Sequence, residues 1–475
     1  MLNMNSFDDC TDTMGETSKL VQSDTVLYVK SLQPHLTSNY ETFRAEPHDQ
    51  RGTGKTQIQT APLVLKCCVV VACLLLILLS MGFGYSLSIL YAQLIRVFDT
   101  DRSLMALNQS FYEALLAVGG ALWSYPVSKL GYGPCVIIGA IAGCVCIGLS
   151  SIATNIPTII VLVGILSGGA FGILYMAPFV VAGDVFGKNK KAVIGFVSIG
   201  SSLGQFTMSF LMEYCIEEYT WSGAMFILSA ACLNAIPCGM LLIILQTYTA
   251  KNQDDKDTAS AKRSLFQPKL FKEKLFWVLM VNSVSLAFTA LAESRFLVDI
   301  AELKGFGRQR GSLLIAIVGV SNLIGGLIGA LSKVTCKLSS SAHMAYWLVI
   351  IIIPHAMVVY GDSYLEFIVV AIINGVCIGN IYAHVAVAMY EIYGTENYAP
   401  SFAAWNISKG VGNFLGGFLG GTIQDTTGSY DLLFRLSIIL SLSYALSFSG
   451  ICLYRHRTQP SYTKLDNPNV TAHEH

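Results

Sequence analysis

Residues Gly319 to Val334 read GVSNLIGGLIGALSKV, and this stretch guides the interpretation of the whole chain. It follows the apolar run SLLIAIV and carries no charge before Lys333. Glycine is a poor helix former in water, yet the run has the length and apolarity of a helix. In lipid, small residues four positions apart let two helix backbones approach closely, and Gly325 and Gly329 have this spacing. The stretch therefore predicts a membrane helix packed against other helices.

The same spacing of glycines recurs along the chain. It is found at Gly168 and Gly172, at Gly200 and Gly204, at Gly375 and Gly379, and at Gly412, Gly416 and Gly420. We interpret these glycines as helix-packing positions and not as parts of a binding site. They predict a bundle of many helices.

Composition supports a membrane location. Of the 475 residues, 53% are hydrophobic and 13% are charged, whereas soluble domains carry about 25% charged residues. The formal net charge is zero, so nothing points to a nucleic-acid partner. Apolar runs of about 20 residues recur, which is the length a helix needs to cross roughly 30 Å of hydrocarbon. The chain is therefore expected to cross the membrane many times.

We count twelve candidate spans in two sets of six, separated by the polar stretch 251–274. They lie near 66–95, 106–128, 134–153, 157–186, 192–214, 222–247, 276–300, 312–333, 341–360, 364–390, 401–422 and 431–454. The predicted organisation is a disordered cytoplasmic tail (1–62), an N-terminal half (63–250), a cytoplasmic central loop (251–274), a C-terminal half (275–454) and a cytoplasmic C-terminal tail (455–475). Lys and Arg are concentrated on the side of the tails and the central loop, which predicts that both termini are cytoplasmic.

The sequence offers no constellation for catalysis. The cysteines lie mostly inside apolar runs and are interpreted as small hydrophobic residues. No Cys and His residues have metal-ligand spacing, and no Ser-His-Asp or paired-carboxylate pattern stands out. We therefore predict neither an enzyme nor a bound metal or cofactor.

Two longer motifs carry a specific resemblance. VFGKNKKAVIGFVSIGSSLG (185–204) and GGFLGGTIQDTTGSYDLLF (416–434) resemble two helix junctions of the monocarboxylate transporter family, solute carrier family 16, within the major facilitator transporters. GYSLSILYAQLIRVF (84–98) and the opening stretch look like further helices of that family, and the resemblance covers roughly residues 64–454. The motif positions interpreted as structural are Lys188, Lys190, Gly200, Gly204, Asp425, Gly428 and Tyr430.

The second motif also has a physical interpretation. Asp425 to Asp431 is expected to make a tight turn, in which Gly428 takes a positive φ and Thr427 and Ser429 suit the turn positions. The lysines of the first motif are expected at a cytoplasmic helix junction near lipid headgroups.

The resemblance implies an all-α membrane protein with twelve transmembrane helices in two six-helix halves, which rock around a site near the midplane. In the proton-coupled lactate carriers of the family, the eighth helix holds an Asp and an Arg that serve proton coupling and the substrate carboxylate. Laid on this sequence, these positions are Asn322 and Gly326, and a lysine of the first helix falls near Tyr85. The three charges are therefore absent here. Asn322 either faces the cavity or joins the eighth helix to a neighbour.

In the major facilitator layout the first, fourth, seventh and tenth helices line the cavity, and charged groups inside the membrane are functional candidates. The candidate substrate-binding residues are Tyr85, Ser88, Tyr91, Tyr175, Asn282, Ser285, Thr289, Asn322, Asn380, His384 and Lys409. The candidates for proton coupling are Glu113, Glu293 and His384. Arg295 and Asp299, one turn apart, are expected to form an ion pair at the membrane surface.

We therefore expect a plasma-membrane carrier of small organic acids that works by alternating access, with proton coupling left open. One alternative is a facilitative carrier of a zwitterionic or neutral solute, of the aromatic amino acid, thyroid hormone or carnitine type. Another is a receptor or scaffold that has lost transport. The expected partners are a small organic solute and the bilayer. The need for an accessory single-span membrane glycoprotein, as in some relatives, stays open.

Overall fold

The computed structural model of the chain describes residues 62–186, 190–250, 270–290, 292–335 and 338–458. Within these ranges the regular structure is helical, and they contain no strand. Most of the predicted N-terminal tail, C-terminal tail and central loop lies outside the described residues, as do Lys188 and the side chain of Lys190.

The N-terminal half contains six helical segments. They are α1 (Leu63–Phe98), α2 (Arg102–Leu122), α3 (Tyr132–Ser150), α4 (Ile156–Ile159, Ile160–Ser167 and Gly168–Phe186), α5 (190–219) and α6 (221–232 and Ala235–Ala250). The middle part of α4 is π-helical, and the short helix Ser124–Leu130 follows α2.

The C-terminal half repeats this layout after a 3₁₀ turn at Leu270–Lys272. Its segments are α7 (Lys274–Ala290 and Ala292–Leu303), α8 (Arg308–Thr335), α9 (Ser340–Ile350 and Ile352–Tyr360), α10 (364–393), α11 (395–427) and α12 (Asp431–Thr458).

Two single residues divide what would otherwise be very long helices. Thr220 has φ 65° within Lys190–Cys232, and Gly394 has φ 67° within Tyr364–Thr427. A positive φ cannot continue a right-handed helix, so the chain changes direction at both residues. These breaks separate α5 from α6 and α10 from α11.

Nine helical stretches of the described chain are long and apolar enough to cross a membrane, and one of them, Val193–Tyr248, runs through both α5 and α6. Neither α2 nor α11 is among the nine. Both carry several buried polar residues, including Glu113 on α2 and Lys409 on α11. The protein is an all-α membrane protein, and the count of twelve spans stays a prediction.

The glycine spacing noted in the sequence marks close helix contacts. A Cβ atom at Gly204 would lie 2.4 Å from the carbonyl oxygen of Leu78 on α1, and one at Gly412 would lie 2.3 Å from that of Val284 on α7. The other pairs behave alike: Gly168 and Gly172 meet α2, and Gly325 and Gly329 meet α10. The interpretation of these glycines as packing positions is confirmed.

Asn322 lies at the contact between α8 and α10. A Cβ atom at Gly379 would lie 2.0 Å from the carbonyl oxygen of Asn322 and 2.7 Å from the amide nitrogen of Gly326. Of the two roles considered for Asn322, this packing favours the joining of α8 to its neighbour. The backbone of Gly379 on α10 therefore packs closely against the α8 backbone at Asn322 and Gly326.

Three ion pairs join the two halves at the end of the bundle where the chain passes from α1 to α2, which we call the first-loop end. They are Arg96–Glu302 at 2.8 Å, Arg102–Asp299 at 2.8 Å and Arg308–Glu213 at 3.0 Å. Each links a helix of the N-terminal half to α7 or α8. These pairs hold the halves together at this end of the bundle.

The turn between α11 and α12 also contributes bonds between the halves at the first-loop end. Gly428 has φ 74°, as expected, and the hydroxyl of Thr427 donates to the carbonyl oxygen of Ser429. The carboxylate of Asp425 accepts hydrogen bonds from the backbone N–H groups of Arg102 and Ser103, at 2.9 and 2.7 Å. Asp425 therefore caps α2 from the opposite half, which is a structural role.

Candidate functional site

A narrow cavity lies between the two halves, deep in the bundle. Its walls come from α1, α2, α4 and α11. The lining residues are Met81, Gly84, Tyr85, Glu113, Leu116, Ala117, Tyr175, Lys409 and Asn413. Two of them, Glu113 and Lys409, carry charge.

Glu113 forms a buried ion pair. One carboxylate oxygen accepts from Nη2 of Arg295 on α7, and the other accepts from Nε2 of Gln109 at 2.9 Å. Nη1 of Arg295 donates to the carbonyl oxygen of Asn413 at 2.8 Å. Glu113 and Arg295 are 8% and 2% exposed. The pair therefore neutralises itself and ties α2, α7 and α11 together.

This arrangement corrects the expectation that Arg295 and Asp299 form an ion pair at the membrane surface. Both residues are buried, and they have separate partners. Asp299 accepts from Nε of Arg102 at 2.8 Å and from the hydroxyl of Tyr430 at 2.7 Å. The expectation was wrong because α7 faces α2, and α2 supplies both opposite charges from residues distant in sequence.

Lys409 is surrounded by aromatic rings and is 7% exposed. Its Nζ atom lies 4.8 Å from the ring centre of Tyr382, 5.9 Å from that of Trp405 and 6.0 Å from that of Tyr175. Aromatic faces carry partial negative charge, so three rings stabilise the ammonium group without neutralising it. No carboxylate of the described residues forms an ion pair with Lys409.

The charges around the cavity leave one positive charge uncompensated. Glu113 and Arg295 cancel, and Lys409 remains. Two polar atoms beside it also lack a hydrogen-bond partner within the described part of the chain: the hydroxyl of Tyr382 and Oδ1 of Asn413. Uncompensated charges are costly in a low-dielectric interior, so the arrangement suits an anionic ligand.

The structure brings four of the predicted residues to this cavity: Tyr85, Tyr175, Lys409 and the proton-coupling candidate Glu113. Other candidates bond within their own helix. Ser88 donates to the carbonyl oxygen of Tyr85, Ser285 to that of Val281 and Thr289 to that of Leu286.

Several candidates lie elsewhere in the bundle. The hydroxyl of Tyr91 lies 3.1 Å from that of Tyr430, near the first-loop end. Asn282 and Asn380 are buried on α7 and α10, and neither lines the cavity. Glu293 is fully buried and faces α9.

His384 lies among α8, α9 and α10. Its Nδ1 donates to the carbonyl oxygen of Asn380 at 2.8 Å, and its Nε2 lies 3.3 Å from the hydroxyl of Ser332. Its ring stacks on that of His343 with centroids 4.7 Å apart. Helix-to-helix contacts therefore account for its burial in this conformation.

The sequence analysis missed four residues of the site: Arg295 as the partner of Glu113, Tyr382, Trp405 and Asn413. Two of them could have been found. Trp405 and Asn413 are four residues before and after Lys409, so all three share one face of α11. Arg295 and Tyr382 come from other helices, and no local spacing indicates their approach.

Comparisons with known proteins agree with this architecture. A sequence profile described as Major Facilitator Superfamily matches residues 72–356. Among solved structures, the crystal structure of the nucleoside transporter NupG aligns with a TM-score of 0.61 at 15% identity, over 82% of this chain and 98% of that one. A bacterial homologue of the human lysosomal transporter Spinster, in an inward-facing and unoccupied conformation, aligns with a TM-score of 0.59 at 14% identity, over 83% and 98% of the two chains. These likenesses support the fold.

Named relatives are more specific. Monocarboxylate transporter 12 of Rattus norvegicus is 23% identical over 85% of this chain and 89% of the relative. Monocarboxylate transporter 4 of Gallus gallus is 23% identical over 80% of both chains. The resemblance stated from the motifs is therefore confirmed. This chain belongs to the Major Facilitator Superfamily, in its monocarboxylate transporter family, and is a multi-pass membrane transporter.

Proposed function

We propose that the protein carries small organic monoanions, such as monocarboxylates, by alternating access around the central cavity. The observation that carries this proposal is the uncompensated ammonium group of Lys409. It lies in a cavity where Glu113, the one acidic side chain among the described lining residues, already pairs with Arg295. A single negative charge on the solute would make the site neutral.

The surroundings of Lys409 fit a carboxylate with an apolar body. The ammonium group supplies a charge-assisted hydrogen bond, and the free hydroxyl of Tyr382 can donate a second one. The rings of Tyr85, Tyr175 and Trp405 offer apolar faces beside these donors. The site therefore replaces the helix-8 charges of the lactate carriers with one cation on α11.

Alternating access fits the distribution of ion pairs. Of the four ion pairs that join the halves in the described residues, three lie at the first-loop end and one, Glu113 with Arg295, lies at the cavity, so the halves are held closed most firmly at the first-loop end. We propose that this end faces the cell exterior and that both termini are cytoplasmic, because Lys and Arg favour the other side. The plasma membrane is the proposed location.

Zwitterionic and neutral solutes form the alternative class of cargo. An amino acid would need a carboxylate for its ammonium group, and the carboxylate at hand is occupied by Arg295 and Gln109. A solute of the carnitine type would bring a quaternary ammonium group close to the positive charge of Lys409. The charge balance of the cavity thus favours a monoanion over both.

The test is uptake of labelled pyruvate, lactate, an aromatic amino acid, a thyroid hormone and carnitine by cells that express the full chain. Lys409→Gln should lower kcat/KM for monoanions roughly 30-fold, because a charge-assisted hydrogen bond contributes about 2 kcal/mol. Lys409→Arg should retain part of the uptake, because it keeps the positive charge.

Lys304→Gln is the matched control. Lys304 bonds to Asp362 and the carbonyl oxygen of Gly361, far from the cavity, so the same chemical change should leave uptake intact. Monoanion uptake that survives Lys409→Gln unchanged would refute the role of Lys409. Saturable uptake of the zwitterions alone would establish the alternative cargo.

A further inference from the structure

A second pair of titratable side chains is buried in the C-terminal half, apart from the cavity. Oε1 of Glu293 on α7 lies 3.8 Å from Nε2 of His355 on α9. Both residues are 0% exposed, and neither lines the cavity that holds Lys409.

Glu293 differs from the other buried carboxyl groups of the described helices in having no cationic partner. Four of these groups face an arginine: Glu113 with Arg295, Asp299 with Arg102, Glu302 with Arg96 and Glu213 with Arg308. Neither carboxyl oxygen of Glu293 has a hydrogen-bond partner among the described residues. An ionised carboxylate without a partner is very costly in such surroundings, whereas a neutral carboxyl group is tolerated.

The groups packed around the pair supply no other charge. Nε2 of His355 lies 3.4 Å from the carbonyl oxygen of Thr289 on α7, and its ring lies 6.0 Å from that of Phe434 on α12. On α10, the titratable group near Glu293 is the buried thiol of Cys377. On α7 itself, Arg295 and Asp299 are engaged with α2. Burial is thus the main factor that decides whether the carboxyl group of Glu293 is neutral or ionised.

From this geometry we infer that Glu293 and His355 form a buried proton-binding site. In the conformation described, the carboxyl group of Glu293 holds the proton and His355 is the neutral base beside it. The step requires the tautomer of His355 with its hydrogen on Nδ1, which leaves the lone pair of Nε2 free. When the two side chains approach to hydrogen-bonding distance, the O–H bond of Glu293 breaks and its proton passes to Nε2 of His355, which then faces the carbonyl oxygen of Thr289 as a donor. The products are a carboxylate and an imidazolium, and one proton is conserved.

This site would couple a proton to transport, a consequence that rests on the proposed function. The protonated pair is compatible with burial between α7 and α9, whereas loss of the proton leaves a buried charge there and favours another arrangement of the helices. With a monoanion on Lys409 and a proton on Glu293, both sites are neutral. The loaded carrier then has no uncompensated charge at either place.

The first experiment detects the proton directly and does not depend on the cargo. Infrared spectra of the full chain in liposomes at neutral pH should contain the carbonyl stretch of a protonated carboxyl group, which ionised carboxylates lack. Glu293→Gln should remove this band, and Glu113→Gln, which changes an arginine-paired carboxylate, should retain it. A wild type without the band, or a band that persists in a folded Glu293→Gln variant, would overturn the inference.

His355→Gln provides a second test if Glu293→Gln does not fold. Removal of the neighbouring base should make ionisation of Glu293 less favourable, so the band should persist to more alkaline pH than in the wild type. His384→Gln, which changes a buried histidine that stacks on His343, should leave the titration of the band unchanged. If the band titrated at the same pH in His355→Gln as in the wild type, His355 would not be part of the proton-binding site.

The second experiment tests coupling, with labelled pyruvate as the probe in the same liposomes. Glu293→Gln should retain pyruvate exchange, but its uptake in an acid gradient should fall to the rate measured without a gradient. Lys409→Gln should lose both activities. A wild type that moves no monocarboxylate would refute the proposed function and leave the infrared result standing. Undiminished acid stimulation in Glu293→Gln would refute coupling through this site.

Discussion

Lys409 and Glu293 are both buried, charged by nature and without an opposite charge in the described residues, but their surroundings differ. Lys409 lines a cavity, and three aromatic rings stand around its ammonium group. Glu293 is fully buried, and an imidazole nitrogen of His355 lies 3.8 Å from its carboxyl group. One site borders a cavity between the two halves, and the other is closed by packing.

The difference shows how a membrane interior deals with a charge that has no partner. An ammonium group that is stabilised by aromatic faces keeps its charge and remains able to bind an anion. A carboxyl group in dry packing becomes neutral by taking up a proton. The surroundings therefore decide which ligand completes each site.

The largest effect is expected from removal of Arg295, which would turn Glu113 into a second carboxyl group without a cation. Breaking a buried ion pair costs about 3–5 kcal/mol, so Arg295→Gln should lower the thermal unfolding midpoint of the purified protein strongly. The double variant Arg295→Gln with Glu113→Gln should recover much of this loss. Equal midpoints for the single and double variants would show that the pair contributes little.

A smaller loss is expected from Gly412→Ala, which disturbs the contact between the helices that carry Lys409 and Glu293. The added methyl group would lie 2.3 Å from the carbonyl oxygen of Val284, so α11 must move away from α7. Such overpacking typically costs 1–3 kcal/mol, measurable as a lower unfolding midpoint.

Gly450→Ala on α12 is the control for this substitution. No atom lies within 4 Å of the added methyl group there, so stability should be unchanged or slightly higher. If both variants unfolded at the wild-type midpoint, the close approach of α11 to α7 would be unimportant for stability.

The next effect concerns Asp299, a carboxyl group on α7 that does have a cation. Asp299→Asn should weaken the bonds to Arg102 and Tyr430 and so favour opening of the first-loop end by about 1–2 kcal/mol. A cysteine placed at Tyr85, in a background without other cysteines, should then react faster with an impermeant thiol reagent added outside. Slower or equal reaction would mean that this ion pair does not hold the end closed.

The smallest effect is expected from Trp405→Leu, which removes one of the rings around Lys409. A partly desolvated cation–ring contact contributes about 1 kcal/mol, so KM for monoanions should change severalfold while Lys409 keeps its charge. Phe418→Leu, on the same helix and partly exposed, is the control and should not alter KM. Identical KM values in both variants would show that the ring of Trp405 does not affect the binding of monoanions at Lys409.

Much of the scaffold could be predicted from the sequence because it depends on local features. The length of the apolar runs predicted most of the spans, and the spacing of the glycines predicted close contacts between helices. The motif DTTGSYD predicted a turn with a positive φ at Gly428. Lys409 could be singled out because a lysine inside an apolar run is rare. None of these inferences requires knowledge of which helices touch.

The pairings of charges could not be predicted because they join distant helices. Glu113 and Arg295 are 182 residues apart in sequence, and the spacing on α7 wrongly suggested Asp299 as the partner of Arg295. The contact of Glu293 with His355 likewise depends on how α9 lies against α7. His384 was expected in the cavity because it lies on α10. The sequence does not tell which side of α10 faces α9, and His384 lies on that side.

Asp425 has a consequence for how the chain tolerates change. Its carboxylate binds main-chain N–H groups of Arg102 and Ser103, and every amino acid except proline offers such a group. The demand of this bond is therefore one-sided: position 425 needs a side-chain acceptor, whereas position 103 needs only a main-chain N–H group, which every residue except proline supplies. A mutational scan should find a rigid requirement on one half of the transporter facing a permissive site on the other, although both take part in the same bond.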